Sequence, residues 1–220
     1  MLAVASGAGG AENRSYILAT ATTGGTFYPV GVALATLTKV KLEPPHGISM
    51  AAISSAGSGE NIKLMRENQV QLGILQGLYG AWGWNGEGQL EADGPQRFLR
   101  SVTMLWQNVE HFVVLAEYVD GGTIEDIKNL KGKKFSIGQR NSGTEGSGLF
   151  LLGNLGIDPQ ATFDLVYQGY GPSAEALQNG TIQGMNTPAG VPVTAVAQAF
   201  AALGENVAIL NFTEAQRTQA

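Results

Sequence analysis

Apolar and polar positions along this chain switch repeatedly between the period of a strand and that of a helix. Ser15 to Thr20, with Tyr16-Ile17-Leu18-Ala19 at its centre, reads as a buried strand. After the loop Ala21–Gly31, Val30, Leu34 and Leu37 recur on one face of a helix running to about Val40. Pro29 stands in its first turn, where a missing N–H costs nothing. Pro44-Pro45-His46-Gly47 breaks the chain, and Ile48 to Ile53 is a second strand. Glu60 to Asn68 is a short amphipathic helix offering Ile62, Leu64 and Met65 to a core, and Val70 to Gln76 is a third strand. Gly77 to Trp84 is aromatic and Gly-rich, with Tyr79, Trp82 and Trp84 near helical spacing, which suits core or cleft wall. Past the turn cluster Asn85-Gly86-Glu87-Gly88, Phe98 to Trp106 and His111 to Glu117 read as two successive strands.

The second half repeats this design. A short helix starts at Thr123-Ile124-Glu125-Asp126, and Lys133 to Gly138 is a strand. Ser142-Gly143-Thr144-Glu145 has capping-box spacing before a helix to Asn154. Phe163–Tyr167, Thr181–Met185 and Val207–Leu210 read as strands, Ser173–Gln178 and Val191–Ala202 as helices, with one further helix at most before Ala220. Strands alternating with helices imply an α/β fold of mainly parallel sheets with helices on both faces. The expected division is a first lobe over 1–107 and a second over 108–220, with a hinge near 104–111.

One junction recurs: a strand, then Gly with Ser or Thr, then a helix start. It occurs at Ala21–Gly31, Ser54–Asn61 and Asn141–Glu145, and in weaker form at Gly169-Tyr170-Gly171-Pro172-Ser173. Each junction presents backbone N–H groups at a helix N-terminus, which suits a carboxylate or other anion. A single such loop reads equally well as an ordinary cap. Three of one type on two lobes point to a shared site, because ligands of open α/β sheets sit beyond the carboxyl ends of the strands. Lobe closure would then bury the ligand. The candidate hydroxyl donors are Thr26, Tyr28, Ser55, Ser58, Ser142 and Thr144, and Gly25 and Gly143 would allow close backbone approach. Gln76, ending the third strand, points its amide either into the cleft or to solvent; Arg140 either pairs with the anion or is a solvated surface residue.

Composition narrows the chemistry. Of 220 residues 31 are Gly and 14% are charged, with a net charge of −5, which argues against nucleic acid or an anionic membrane surface as partner. There is no cysteine, so disulfides and Cys-based zinc sites are excluded. No run approaches the ~18 apolar residues of a membrane span. The small apolar stretch Met1–Ala11 is either the tail of a clipped signal peptide or a loose terminus. Gly138–Glu145 spaces its glycines like a P-loop but has Thr144-Glu145 where Lys-Ser/Thr is needed, and no G-x-G-x-x-G follows the first strand. His111 lacks a nucleophile elbow to serve and reads as an interlobe hydrogen-bonding residue. Neither a cofactor nor a metal is expected.

These stretches together resemble the TAXI family, the solute receptors of TRAP-type transporters. The matching segments are Thr23–Gly31, Ser54–Ile62, Ala81–Gly86, Asn129–Lys134, Ser142–Glu145 and Gly180–Gln183. The resemblance implies a periplasmic, non-enzymatic receptor of the two-lobe type II binding-protein fold. It would capture a small organic anion or an amino acid such as glutamate and pass it to membrane permease subunits without itself entering the membrane. Carried over by motif, the contacts are Gly25, Thr26, Tyr28, Ser55, Ser58, Gln76, Ser142, Gly143 and Thr144. Arg140-Asn141 and Gln183-Gly184 depart from the family pattern. Family members also continue beyond this C-terminus to complete the first lobe, so the resemblance implies a fragment with that lobe unfinished. The rival reading is an enzyme on the same fold. It would need a base or nucleophile in the cleft, whereas carboxylates such as Glu145 read better as caps.

Overall fold

The computed structural model describes residues 13–220; the N-terminal stretch considered above as a signal-peptide tail lies outside them. The first sheet forms from β1 (Arg14–Ala19), β2 (Ile48–Ile53) and β3 (Leu72–Gly73), all parallel, in the order β2-β1-β3. Its helices are α1 (Phe27–Lys41), α2 (Glu43–His46), α3 (Ser58–Arg66) and α4 (Gly77–Asn85), followed by a 3-10 turn at Gly88–Asp93. The aromatic Gly77–Trp84 stretch is therefore helical, and Tyr79, Trp82, Ile62 and Leu90 form the buried core of this lobe.

The second sheet is five-stranded, in the order β6-β5-β7-β4-β8. Its strands are β4 (Phe112–Leu115), β5 (Lys134–Ser136), β6 (Asp164–Val166), β7 (Gly184–Asn186) and β8 (Val207–Leu210). β5 runs parallel to β6 and β7, whereas β4 is antiparallel to both β7 and β8. Around it lie α5 (Gly143–Asn154), α6 (Pro159–Thr162), α7 (Tyr170–Gln178), α8 (Thr194–Leu203) and α9 (Glu214–Gln219). The short helix expected after Thr123 is a 3-10 helix, Ile124–Leu130. Each sheet face has its own core: Phe112, Ile127, Phe135, Leu152 and Phe163 on one, Val113, Leu177, Met185, Val196 and Val207 on the other.

Two expectations fail in the first lobe. Val70–Gln76 pairs over only two residues, Leu72 and Gly73. Phe98–Trp106 is not a strand: it joins neither sheet, and Val102 and Met104 are each 80% exposed. β propensity expresses itself only through a ladder partner and same-face packing, and this stretch has neither among the described residues. The chain passes from the first lobe to the second through this run, whose end pairs with the segment after β7: Val109 bridges Ala189 antiparallel. His111 Nδ1 lies 3.0 Å from the Thr187 carbonyl oxygen, so this histidine fastens the end of the linking run to the segment after β7.

Candidate ligand-binding site

Five helix N-termini meet between the lobes. Thr26 and Phe27 start α1, Gly57 and Ser58 start α3, Ser142 and Gly143 start α5, Gly169 and Tyr170 start α7, and all line one cavity. Gln76, the N-cap of α4, lines it too. The N-caps Thr26, Gly57, Gly169 and Gln76 make no side-chain cap bond; Ser142 alone does, its Oγ accepting from Glu145 N at 3.0 Å. First-turn N–H groups have no partner within their own helix, and here they face the cleft with the positive ends of the helix dipoles.

The lobes approach closely. A Cβ on Gly143 would sit 2.7 Å from the Gln76 amide and 2.8 Å from Ser58 Oγ, and one on Gly146 would overlap Tyr79. Only glycine permits this contact. Across the same seam, Glu60 N donates to the Asn141 carbonyl at 3.0 Å. The Tyr79 hydroxyl lies 2.6 Å from Gln89 Oε1 and 2.9 Å from the Ser142 carbonyl, two acceptors sharing its one proton. The cavity is partly open to solvent and small, about 30 Å³.

Of the residues expected at the site, the structure brings Gly25, Thr26, Ser58, Gln76, Ser142, Gly143 and Thr144 to the cavity wall. Not all of them offer donors. Thr26 Oγ1 donates to the Gly190 carbonyl at 3.1 Å. Thr144 Oγ1 lies 2.7 Å from the Tyr170 hydroxyl, which donates to the Pro188 carbonyl at 2.6 Å. Ser58 Oγ accepts from Gln76 N at 3.0 Å, and like Ser142 Oγ it has no acceptor for its own proton among the described residues.

Three expected residues are not part of the wall. Tyr28, half-buried, follows Phe27 into α1, and Phe27 lines the cavity in its place. Ser55 Oγ lies 2.6 Å from Asn61 Oδ1 and 3.1 Å from the Thr20 carbonyl and accepts from Gly57 N, so it ties down the loop. Arg140 stacks with its guanidinium 3.7 Å over the Tyr167 ring and stays exposed. Stacking lets the guanidinium keep most of its water, which entry into the cleft would strip away.

Several wall residues were not singled out from sequence. The weaker fourth loop, Gly169–Ser173, signalled Gly169 and Tyr170; Gln139 and Pro188 carried no local sign.

Among the described residues no charged side chain lines the cavity. The two carboxylates nearest its helices are already used: Glu60 Oε2 accepts from Ala56 N, and Glu145 Oε2 accepts from Asn141 N at 2.7 Å. Burial raises the Glu145 carboxyl above its ordinary pKa, against the opposing pull of that N–H and of Arg140. Burial likewise pushes the Tyr170 phenol up. At the end of the linking run, Glu110 has a fully enclosed Oε2 with no partner among the described residues. Burial pushes its carboxyl up to about 7, with Ser147 and Asn186 opposing the shift. Among the described residues no group of three or more His, Asp or Glu could hold a metal ion, and no helix is long and apolar enough to cross a membrane.

The architecture is that of the type II periplasmic binding proteins. The alkanesulfonate-binding protein SsuA from Xanthomonas axonopodis pv. citri, solved with MOPS, is 13% identical with a TM-score of 0.57, covering 93% of this chain. A binding protein of an ABC phosphonate transporter from Pseudomonas aeruginosa is 12% identical with a TM-score of 0.55, over 94% of this chain and 72% of its own. The amino acid ABC transporter substrate-binding protein AbpA from Streptococcus pneumoniae, bound to L-arginine, is 14% identical with a TM-score of 0.54, over 90% of this chain and 76% of its own. The chain spans 63% of the length of the Xanthomonas protein. A family model covers nearly all of the sequence, residues 18–220, and by that match the chain belongs to the NMT1-like family.

Proposed function

We propose that the protein is an extracytoplasmic solute-binding receptor that captures a small organic anion between its lobes, which divide near residues 104–111, and delivers it to a membrane permease. The observation that carries this reading is the convergence of four uncapped helix N-termini on a cavity without a charged side chain. Such N–H groups and dipoles favour an anion, and closure excludes water around it. The TAXI-type motifs support a TRAP-type permease as partner and a periplasmic location; the neighbours named above belong to ABC transporters. An enzyme would need a base or nucleophile at the ligand. Among the described residues the lining offers only Tyr170 as a titratable group, and its proton is committed to Pro188.

The test is a thermal-shift panel of monocarboxylates, dicarboxylates, keto acids, amino acids and sulfonates on the purified chain. At least one small anion raises the melting temperature, and Gly143→Val, which fills the cavity beside Gln76, removes the rise. A panel that moves nothing rejects the reading. Copurification with a TRAP-type rather than an ABC-type permease encoded beside it identifies the partner.

A further inference from the structure

Two features of the cavity go unexplained by an anion held on helix N-termini. The first is a pair of orphaned acceptors. Gln76 is 7% exposed, and its Oε1 ends in the cavity without a donor. Gln139, from the β5–α5 loop of the other lobe, also lines the cavity with an enclosed Oε1 that has no donor. A buried amide oxygen left unpaired is destabilising, because it has given up its water without gaining a donor. A ligand that brings its own O–H or N–H to these oxygens recovers that cost, and one without a donor does not.

The second feature is the absence of charge in the wall among the described residues. An ammonium would leave water with no counter-charge to meet it, because Glu60 and Glu145 are turned to the backbone N–H groups of Ala56 and Asn141. A second carboxylate or a dianionic phosphate would meet no cation, since Arg140 lies over Tyr167 outside the wall. The donor must therefore be neutral and the anion single.

We propose, resting on the anion-receptor reading above, that the ligand is a small hydroxy monocarboxylate. Its carboxylate would sit on the helix N–H groups, and its hydroxyl would donate to Gln76 Oε1 or Gln139 Oε1. The smallest such acid (glycolate, then lactate or glycerate) is favoured, because the cavity is small, about 30 Å³. It also sets the site apart from receptors for dicarboxylates or for zwitterionic amino acids.

Calorimetric titration of the purified chain with glycolate, lactate and glycerate, beside acetate, glycine, alanine, glutamate and inorganic phosphate, decides the matter. At least one hydroxy acid binds about tenfold more tightly than acetate, the value of one well-made buried hydrogen bond. Gln76→Met and Gln139→Met are made separately, and at least one narrows the ratio of hydroxy acid to acetate to about threefold or less. If glycine, alanine, glutamate or phosphate binds more tightly than every hydroxy acid, the inference fails while the anion receptor stands. If none of these ligands binds, the inference fails, and the wider thermal-shift panel decides the anion-receptor reading separately. Should Gln76→Met fail to fold, Gln76→Leu takes its place, and an unchanged ratio at both positions overturns the inference.

Discussion

The two lobes of this protein supply the same loops to one cavity from scaffolds of different strength. The second lobe sandwiches a five-stranded sheet between two apolar clusters in which Phe112, Ile127, Phe135 and Met185 are fully buried. The first lobe has three strands, one ending after two paired residues, and a core of Ile62, Tyr79, Trp82 and Leu90. It also exposes Leu37, Val40, Val102 and Met104, each more than half accessible. Apolar side chains stabilise a lobe only through the surface they remove from water. A similar density of apolar residues along the chain thus yields two lobes of unequal stability. The difference teaches that a binding loop can be well placed while the lobe behind it is the weaker partner. Hydrogen exchange should show this as faster opening of β1–β3 than of β4–β8.

The largest effect expected is on the stronger side. Phe135→Ala empties a site stacked between Phe112 and Phe163 and should lower stability by about 3–5 kcal/mol in chemical denaturation. If the loss is under about 1 kcal/mol, the second lobe is not the organising core.

Next is a pH effect at the junction. The Glu110 carboxyl is raised from an ordinary 4.5 to about 7, so the folded protein holds its proton more tightly than the unfolded chain. That stabilisation is full below 4.5 and is lost as pH rises through 7. Its size is on the order of 3 kcal/mol. Glu110→Gln should flatten this fall in urea midpoints between pH 4.5 and 7, leaving the smaller slope from Glu145, which is raised in the same sense. A variant with the wild-type slope would assign the fall to other groups.

Tyr79→Phe removes the hydroxyl that reaches from the first lobe to the Ser142 carbonyl. It should cost about 0.5–1.5 kcal/mol and favour an open form, visible as a larger radius of gyration in solution scattering. The smallest effects belong to the exposed run. Val102→Ser and Met104→Ser should each change stability by no more than about 0.5 kcal/mol. A loss above about 1 kcal/mol would mean that this stretch is packed in solution and that the lobes differ less than their cores indicate. Arg140→Ala should likewise leave anion affinity within about twofold, because the guanidinium rests on Tyr167 rather than in the cavity.

Much of this was legible along the chain. Local grammar suffices for a strand, a Gly/Ser/Thr turn and a helix start, because the turn needs small residues and the helix start leaves N–H groups free. Those junctions led to Gly25, Ser58, Ser142, Gly143 and Thr144, all of which line the cavity. Ser142 capping Glu145 was readable from spacing alone. The failures share one cause. Phe98–Trp106 has the composition of a strand, but pairing is a property of two chain segments, and the sequence of one cannot supply the other. Which hydroxyls remain free was equally hidden. Thr26 donates to Gly190 and Thr144 meets Tyr170, contacts spanning 164 and 26 residues.

The sequence by itself determined the α/β alternation, the recurrence of anion-suited helix starts, and the scarcity of charge near them, since each follows from local periodicity and composition. Only the tertiary structure decided that Arg140 turns out over Tyr167 and that Gln139 and Pro188 reach the cavity. It also decided that Gln76 ends there with an unpaired oxygen. Those outcomes depend on which segments meet across the lobe seam, where close packing at Gly143 and Gly146 leaves room for some side chains and not others.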